Sequence, residues 1–148
     1  MPENPIDRAS EELLALIAEA LDHGFSSIED LGGPLIPFVI LEHGDRKELN
    51  RMVVDNSASA LARGSAMILA APPSALRYAL TYDSYVRIGD ERYDAVIVHA
   101  GERSLDLGVA LAQCYVELES THPRLERSGE VRLLGPADNY FKPQVSAA

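Results

Sequence analysis

The sequence is poor in cysteine, in basic residues and in long apolar runs. Its single cysteine, Cys114, rules out an internal disulfide and is typical of a protein in a reducing compartment. No stretch approaches the roughly 18 apolar residues of a membrane span. The polar, acidic start, MPENPIDR, does not have the pattern of a signal peptide. We therefore expect a soluble cytoplasmic protein that does not contact a membrane.

Basic residues are scarce relative to acidic ones. The chain has 13 Lys and Arg against 23 Asp and Glu, a net charge of −10. Nucleic-acid binders need a basic surface to neutralise phosphates, so we expect no nucleic-acid partner. The excess is concentrated near the start, where it indicates either a solvated helix face or a docking surface for a basic protein, as in immunity-type inhibitors. The acidic residues there are Glu3, Asp7, Glu11, Glu12, Glu19, Asp22, Glu29 and Asp30.

The short motifs of several enzyme classes are also missing. There is no P-loop, dinucleotide-binding glycine motif, HExxH, CxxC or GxSxG. The four histidines, His23, His43, His99 and His122, are far apart and show no ligand spacing. We therefore expect no metal site and no cofactor.

The clearest pattern in the chain is a run of three strands between residues 76 and 117. Apolar and polar residues alternate from Leu76 to Asp83, as they do in a strand. Gly89-Asp90 then predicts a two-residue turn of type II′. A second strand is expected over Tyr93–Ala100 and a third over Val109–Val116, which makes a meander.

This turn predicts the pairing register. With Gly89 and Asp90 as the only loop residues, Ile88 lies opposite Glu91. Tyr78, Tyr82 and Tyr93 then share one face of the sheet. Such tyrosines can line a ligand cleft, but they more often pack a sheet against a helix, and we favour that role.

The rest of the chain provides two helices, a hairpin and a tail. The predicted elements are a helix over 6–23, a loop over 25–33, a hairpin of Pro37–Glu42 and Lys47–Val54, a helix from a cap at Asp55–Ser57 to Leu69, a polar connection over Ser120–Gly129, and an edge strand over Val131–Leu134. Strands joined by hairpins cannot form a parallel sheet. The sequence thus predicts a single α+β domain over residues 1–148, with a tail that frays from about residue 135. Its mostly antiparallel sheet, a hairpin plus a three-strand meander, has two helices packed on one face.

Three segments of the strand region resemble small bacterial proteins of unknown function. They are Arg77–Asp83, Ile88–Arg92 and Ala100–Arg103. The resemblance covers about residues 36–117 and implies a compact cytosolic domain. It carries over no functional residue, because that family has no assigned activity.

One group of residues is a weak candidate for a catalytic site. His99 is near the end of the second meander strand, and Glu102 and Arg103 follow it. An imidazole near a carboxylate can act as a general base. We favour the alternative, in which His99 is hydrogen-bonded beside Tyr78 and the two charged residues are ordinary loop residues. Cys114 lies on an apolar strand and has no visible base partner.

Several strands are apolar on both faces, which predicts a homodimer. They are Phe38–Leu41, Ala95–Val98 and Val109–Ala112. A strand with one solvent-exposed face would alternate apolar and polar residues. Two helices packed on one face of the sheet would leave an apolar second face exposed. Association of two copies about a two-fold axis is the commonest way to bury such a face. The leading hypothesis is therefore a non-enzymatic binding or assembly module, and the alternative is a small enzyme or ligand-binding domain with a cleft near His99.

Overall fold

The computed structural model describes residues 5–31, 35–118 and 124–142, which form a seven-stranded sheet with a helix against each face. A 3-10 turn, Pro5–Arg8, precedes the first helix. The elements are α1 (Glu11–Leu31), β1 (Phe38–His43), β2 (Lys47–Arg51), α2 (Ser57–Leu69), β3 (Ala75–Ile88), β4 (Glu91–Glu102), β5 (Leu107–Leu118), β6 (Arg124–Arg127) and β7 (Arg132–Asp138).

The strand order is β2-β1-β3-β4-β5, and both β6 and β7 lie along the outer side of β5. Every pairing is antiparallel, so the α+β class and the predicted hairpin and meander are confirmed. Strand β6 forms in a stretch predicted to be a polar connection. β7 begins within the predicted edge strand and continues to Asp138.

The central meander has the register that the Gly89-Asp90 turn predicts. Ile88 pairs with Glu91, and the ladder continues from there without a shift. Gly89 has a φ of 63°, while no described non-glycine residue has a positive φ. This combination fits a type II′ turn and excludes type I′, which needs two positive values.

The two helices lie on opposite faces of the sheet, so the prediction of both on one face is wrong. Helix α1 packs on the face that includes Ile40, and α2 packs Ile68 on the face that includes Val39. Neighbouring residues of a strand point to opposite faces, so one helix cannot cover both. This explains why the strands are apolar on both faces. It also removes the uncovered face from which the sequence predicts a dimer.

Helix α1 is longer than predicted, because it continues past the predicted end at His23 and through Gly24. A Cβ atom at Gly24 would lie 3.2 Å from Cγ1 of Val96, so this glycine permits close packing on the sheet. Phe25 and Ile28 extend the buried stripe through what is predicted to be a loop. Residues 32–34 lie outside the described residues. Neither α1 nor any other described helix has the length and apolar character needed to cross a membrane.

The C-terminal segment is packed on the molecule as far as Lys142. Asn139 is buried, and its amide donates hydrogen bonds to the carbonyl oxygens of Glu102 and Leu105, both at 2.7 Å. The ring of Phe141 is buried against Tyr78. Fraying from about residue 135 is therefore not seen over 135–142, and residues 143–148 lie outside the described residues.

Candidate functional site

His99 lies at the centre of a row of three polar rings on the α2 face. Its Nε2 is 3.1 Å from the hydroxyl of Tyr82, and its Nδ1 is 3.1 Å from the hydroxyl of Tyr140. A neutral imidazole has one donor and one acceptor nitrogen, so it can donate to one tyrosine and accept from the other. No ring nitrogen is then left for a substrate.

Burial controls how this row titrates. Desolvation lowers the pKa of His99 and raises the pKa of Tyr82 to about 12. Burial also raises the pKa of Tyr140. All three side chains are therefore mainly neutral near neutral pH, and the row is held together by hydrogen bonds and ring contacts between neutral groups.

Each tyrosine of the row lines a different surface cleft. Tyr82 lines a cleft of about 330 Å³ between the open end of the β1–β2 hairpin and the start of α2. Tyr140 lines a cleft of about 370 Å³ between α2 and the C-terminal segment. His99 lines neither of them, so a ligand in either cleft would meet a tyrosine before the imidazole.

Glu102 points to the opposite face from His99, because the two residues differ by an odd number along β4. Its carboxylate is buried and accepts hydrogen bonds from the backbone nitrogen of Ser10 at 3.0 Å and the Ser10 hydroxyl at 2.5 Å. Nε of Arg77 donates to the same carboxylate at 2.9 Å. The Ser10 oxygen in turn accepts from the amide of Leu13 at 3.0 Å, which caps α1. Glu102 therefore fastens the start of α1 to the sheet.

Ion pairs continue from Glu102 across three more strands. Arg77 binds Glu42 at 2.8 Å, and Lys47 lies 3.8 Å from the other oxygen of that carboxylate. Lys47 also pairs with Glu19 of α1 at 2.8 Å. Acids and bases thus alternate from β4 to β2 beneath the first helix, which is the arrangement of a structural network.

Arg103 binds the chain that follows α2. Its Nε donates to the carbonyl oxygen of Ala75 at 2.5 Å, and its Nη2 donates to that of Pro72 at 3.0 Å. The guanidinium lies over the ring of Phe141, 4.1 Å from the centroid. Arg103 therefore joins the α2–β3 connection to the C-terminal segment.

The three candidate residues are close in sequence but are not brought together. His99 faces α2, Glu102 faces α1, and Arg103 lies beyond the end of the strand. A histidine general base needs an orienting group, and here tyrosines occupy that place instead of a carboxylate. Sequence reasoning missed Tyr140, which is 41 residues from His99. Within the described ranges, no three His, Cys, Asp or Glu side chains cluster as metal ligands would.

A different feature, an open sheet edge, appears along the far half of β3. Pairing with β1 ends at Phe38 and Thr81. Beyond that point, no strand among the described residues lies beside Asp83–Ile88 on this side. We refer to Asp83–Ile88 as the distal edge.

The hairpin turn determines which backbone groups point out of the distal edge. In a two-residue hairpin the flanking residues, here Ile88 and Glu91, exchange both backbone hydrogen bonds. Hydrogen-bonded pairs then alternate along the ladder. The N–H and C=O groups of Asp83, Tyr85 and Arg87 therefore point away from β4, toward the open side.

No protein-family model matches this chain, and searches of curated proteins and of solved structures found no match either. The resemblance to small bacterial proteins thus stays a prediction. The function has to be inferred from the chain's own geometry.

Proposed function

We propose that the protein is a non-enzymatic binding or assembly module of the cytoplasm, which works as a small homo-oligomer through the distal edge of β3. The observation that carries this proposal is the weak protection of that edge. Exposed edges pair with other strands unless charge, proline, a bulge or shortness prevents it.

The other outer strands in the described part of the chain each carry such a device. β2 and β6 are short and charged, with the sequences KELNR and RLER. β7 contains Pro136, which lacks an N–H, and its pairing with β5 includes a register shift. These features disfavour strand addition at all three.

The distal edge is less protected than these three strands, with two charged residues in six. It has no proline or lysine, and its ladder with β4 has no register shift. Tyr85, Val86 and Ile88 favour extended structure, and Tyr85 is 44% exposed. The two charged residues of the edge, Asp83 and Arg87, have opposite signs, so their charges do not add up to a repulsive edge.

Light scattering after size-exclusion chromatography tests this proposal. The wild type is expected at about twice the 16.1 kDa chain mass at micromolar concentration. Tyr85→Pro is expected to give a monomer, because it removes an outward N–H without removing a β3–β4 hydrogen bond. Tyr85→Thr is the matched control, since it keeps the N–H and should stay dimeric. A wild type at the single-chain mass would refute the proposal.

A second candidate function is ligand binding or catalysis at the His99 row. The observation that favours it is that Tyr82 and Tyr140 each line a cleft. If His99 serves chemistry, His99→Ala should abolish an activity found by screening and leave the melting temperature nearly unchanged. If the row is structural, the same variant should chiefly lose stability, because two hydroxyls lose their partner.

A further inference from the structure

We infer that the strand bound at the distal edge is the same edge of a second copy, antiparallel, with a two-fold axis at Tyr85. This inference rests on the proposed homo-oligomer and adds its register. A two-fold contact uses one self-complementary surface and closes without leaving a free end.

Backbone geometry favours this register over its neighbours. Only Asp83, Tyr85 and Arg87 direct hydrogen-bonding groups outward, so a partner strand must place outward residues opposite one another. With Tyr85 opposite the partner's Tyr85, all three residues take part, and about six backbone hydrogen bonds form. A slip that moves the axis to Val86 leaves only two outward residues of each strand paired, with about four bonds.

Charge complementarity favours the same register. It places Asp83 opposite the partner's Arg87 and repeats that pair across the axis, and opposite charges facing across strands are stabilising. Within one chain the residue opposite Arg87 is Arg92, which is a like-charge pair. The second copy therefore supplies the carboxylate that Arg87 does not have directly across from it in its own sheet.

Asp83 also has capacity for such a partner. The carboxylate accepts a hydrogen bond from the Tyr115 hydroxyl at 2.8 Å and further hydrogen bonds from the backbone N–H groups of Leu35 and Ser84. A carboxylate has about four acceptor sites, so about one site is left for a single N–H of a guanidinium. Burial raises the pKa of Asp83, and a cation placed beside it would offset that effect by favouring the charged form.

The side chains around the axis fit close approach. Arg92 already covers one side of the Tyr85 ring, 3.8 Å from its centroid. On the other face the register places Val86 opposite the partner's Ser84, a small residue beside a branched one. Pairing would therefore bury Tyr85 and Val86 without placing two large side chains against each other on that face.

Disulfide trapping tests the register directly. Single cysteines are introduced in a Cys114→Ala background, since Cys114 is free. Directly opposite residues in a hydrogen-bonded antiparallel pair have Cα atoms about 5.5 Å apart, within the range for a disulfide. Tyr85→Cys should therefore form a covalent dimer alone under mild oxidation. Asp83→Cys and Arg87→Cys should each fail alone and cross-link when the two proteins are mixed.

Controls separate this inference from the proposed function. Arg92→Cys, on β4 and away from the edge, should not cross-link. A dimer that Tyr85→Pro abolishes, but in which Tyr85→Cys does not cross-link, overturns the register and keeps the edge as the binding site. Cross-linking only between Tyr85→Cys and Arg87→Cys chains also overturns it, in favour of the slipped register. A wild-type monomer overturns both.

Discussion

The ring of Tyr140 stacks on the imidazole of His99, with centroids 5.9 Å apart and an interplanar angle of 19°. Tyr140 belongs to the C-terminal segment and His99 to β4. The contact therefore holds that segment against the α2 face, where its neighbour Phe141 is buried. The sheet face opposite α1 is therefore covered by α2 and the C-terminal segment together.

We expect the fold to lose stability in weak acid because of His99. Burial lowers its pKa, so folding favours the neutral imidazole. The contribution of His99 to the stability of the fold is fully present above its pKa in the unfolded chain, about 6.5. That contribution is lost as the pH falls below this value toward the pKa of His99 in the folded protein. The free energy of unfolding, measured with denaturant above and below this pH, should decrease less on acidification for His99→Gln than for the wild type. An NMR titration of His99 at or above its ordinary pKa would contradict this.

Glu102→Gln should destabilise the fold by about 3 kcal/mol, because it breaks a buried ion pair by removing one of the two partners. The charge left behind is Arg77, which would keep only Glu42 as an anionic partner. Chemical denaturation measures the change. Glu12→Gln is the matched control at an exposed position and should leave the free energy of unfolding unchanged. Equal stability of the two variants would show that Glu102 is not a structural anchor.

Thr81→Val should raise the free energy of unfolding by about 1 kcal/mol, because it removes a buried hydroxyl that has no partner. The Oγ1 atom of Thr81 is fully buried and makes no hydrogen bond within the described residues. Thr81→Ser is the opposite control, since it keeps the hydroxyl and deletes the methyl group that faces Gly24. It should lower stability. A loss for the valine variant would mean that the hydroxyl has a partner.

Gly64→Ala should lower the melting temperature, although alanine normally gains about 1 kcal/mol over glycine in a helix. The new Cβ would lie 2.7 Å from Cδ1 of Leu80, which is completely buried and has little room to move. Ser65→Ala, one position along α2, should change the melting temperature little. If both variants are equally stable, Leu80 can adopt another rotamer without cost.

Reversing the charges of Glu11, Glu12, Glu19 and Asp22 to lysine should leave the fold intact, because all four side chains are exposed. A small loss is expected, since Glu19 pairs with Lys47 at 2.8 Å and Asp22 with Arg127 at 2.6 Å, and exposed pairs contribute little. Circular dichroism and thermal unfolding measure this. A variant that does not fold would assign these residues a structural role. If a basic protein docks on this surface, the folded variant should no longer bind it.

Local signals in the sequence determined the meander, its register and the second helix. The two-residue alternation and the Gly89-Asp90 turn are enough for the β3–β4 ladder, because a short hairpin loop allows one alignment. The cap at Asn56 is equally local, since its side chain accepts a hydrogen bond from Ser59 only three residues away, at 2.8 Å.

Tertiary structure alone decided where the helices lie and what surrounds His99. Gly24 has the appearance of a helix stop, but its position against Val96 makes it a packing residue, and only the assembled sheet provides Val96 there. Tyr140 and His99 meet because β7 returns the chain to the α2 face, a contact that no short window of sequence contains. Such features depend on residues far apart in the chain. Alternation along a strand distinguishes its two faces, but it does not tell which element covers each of them.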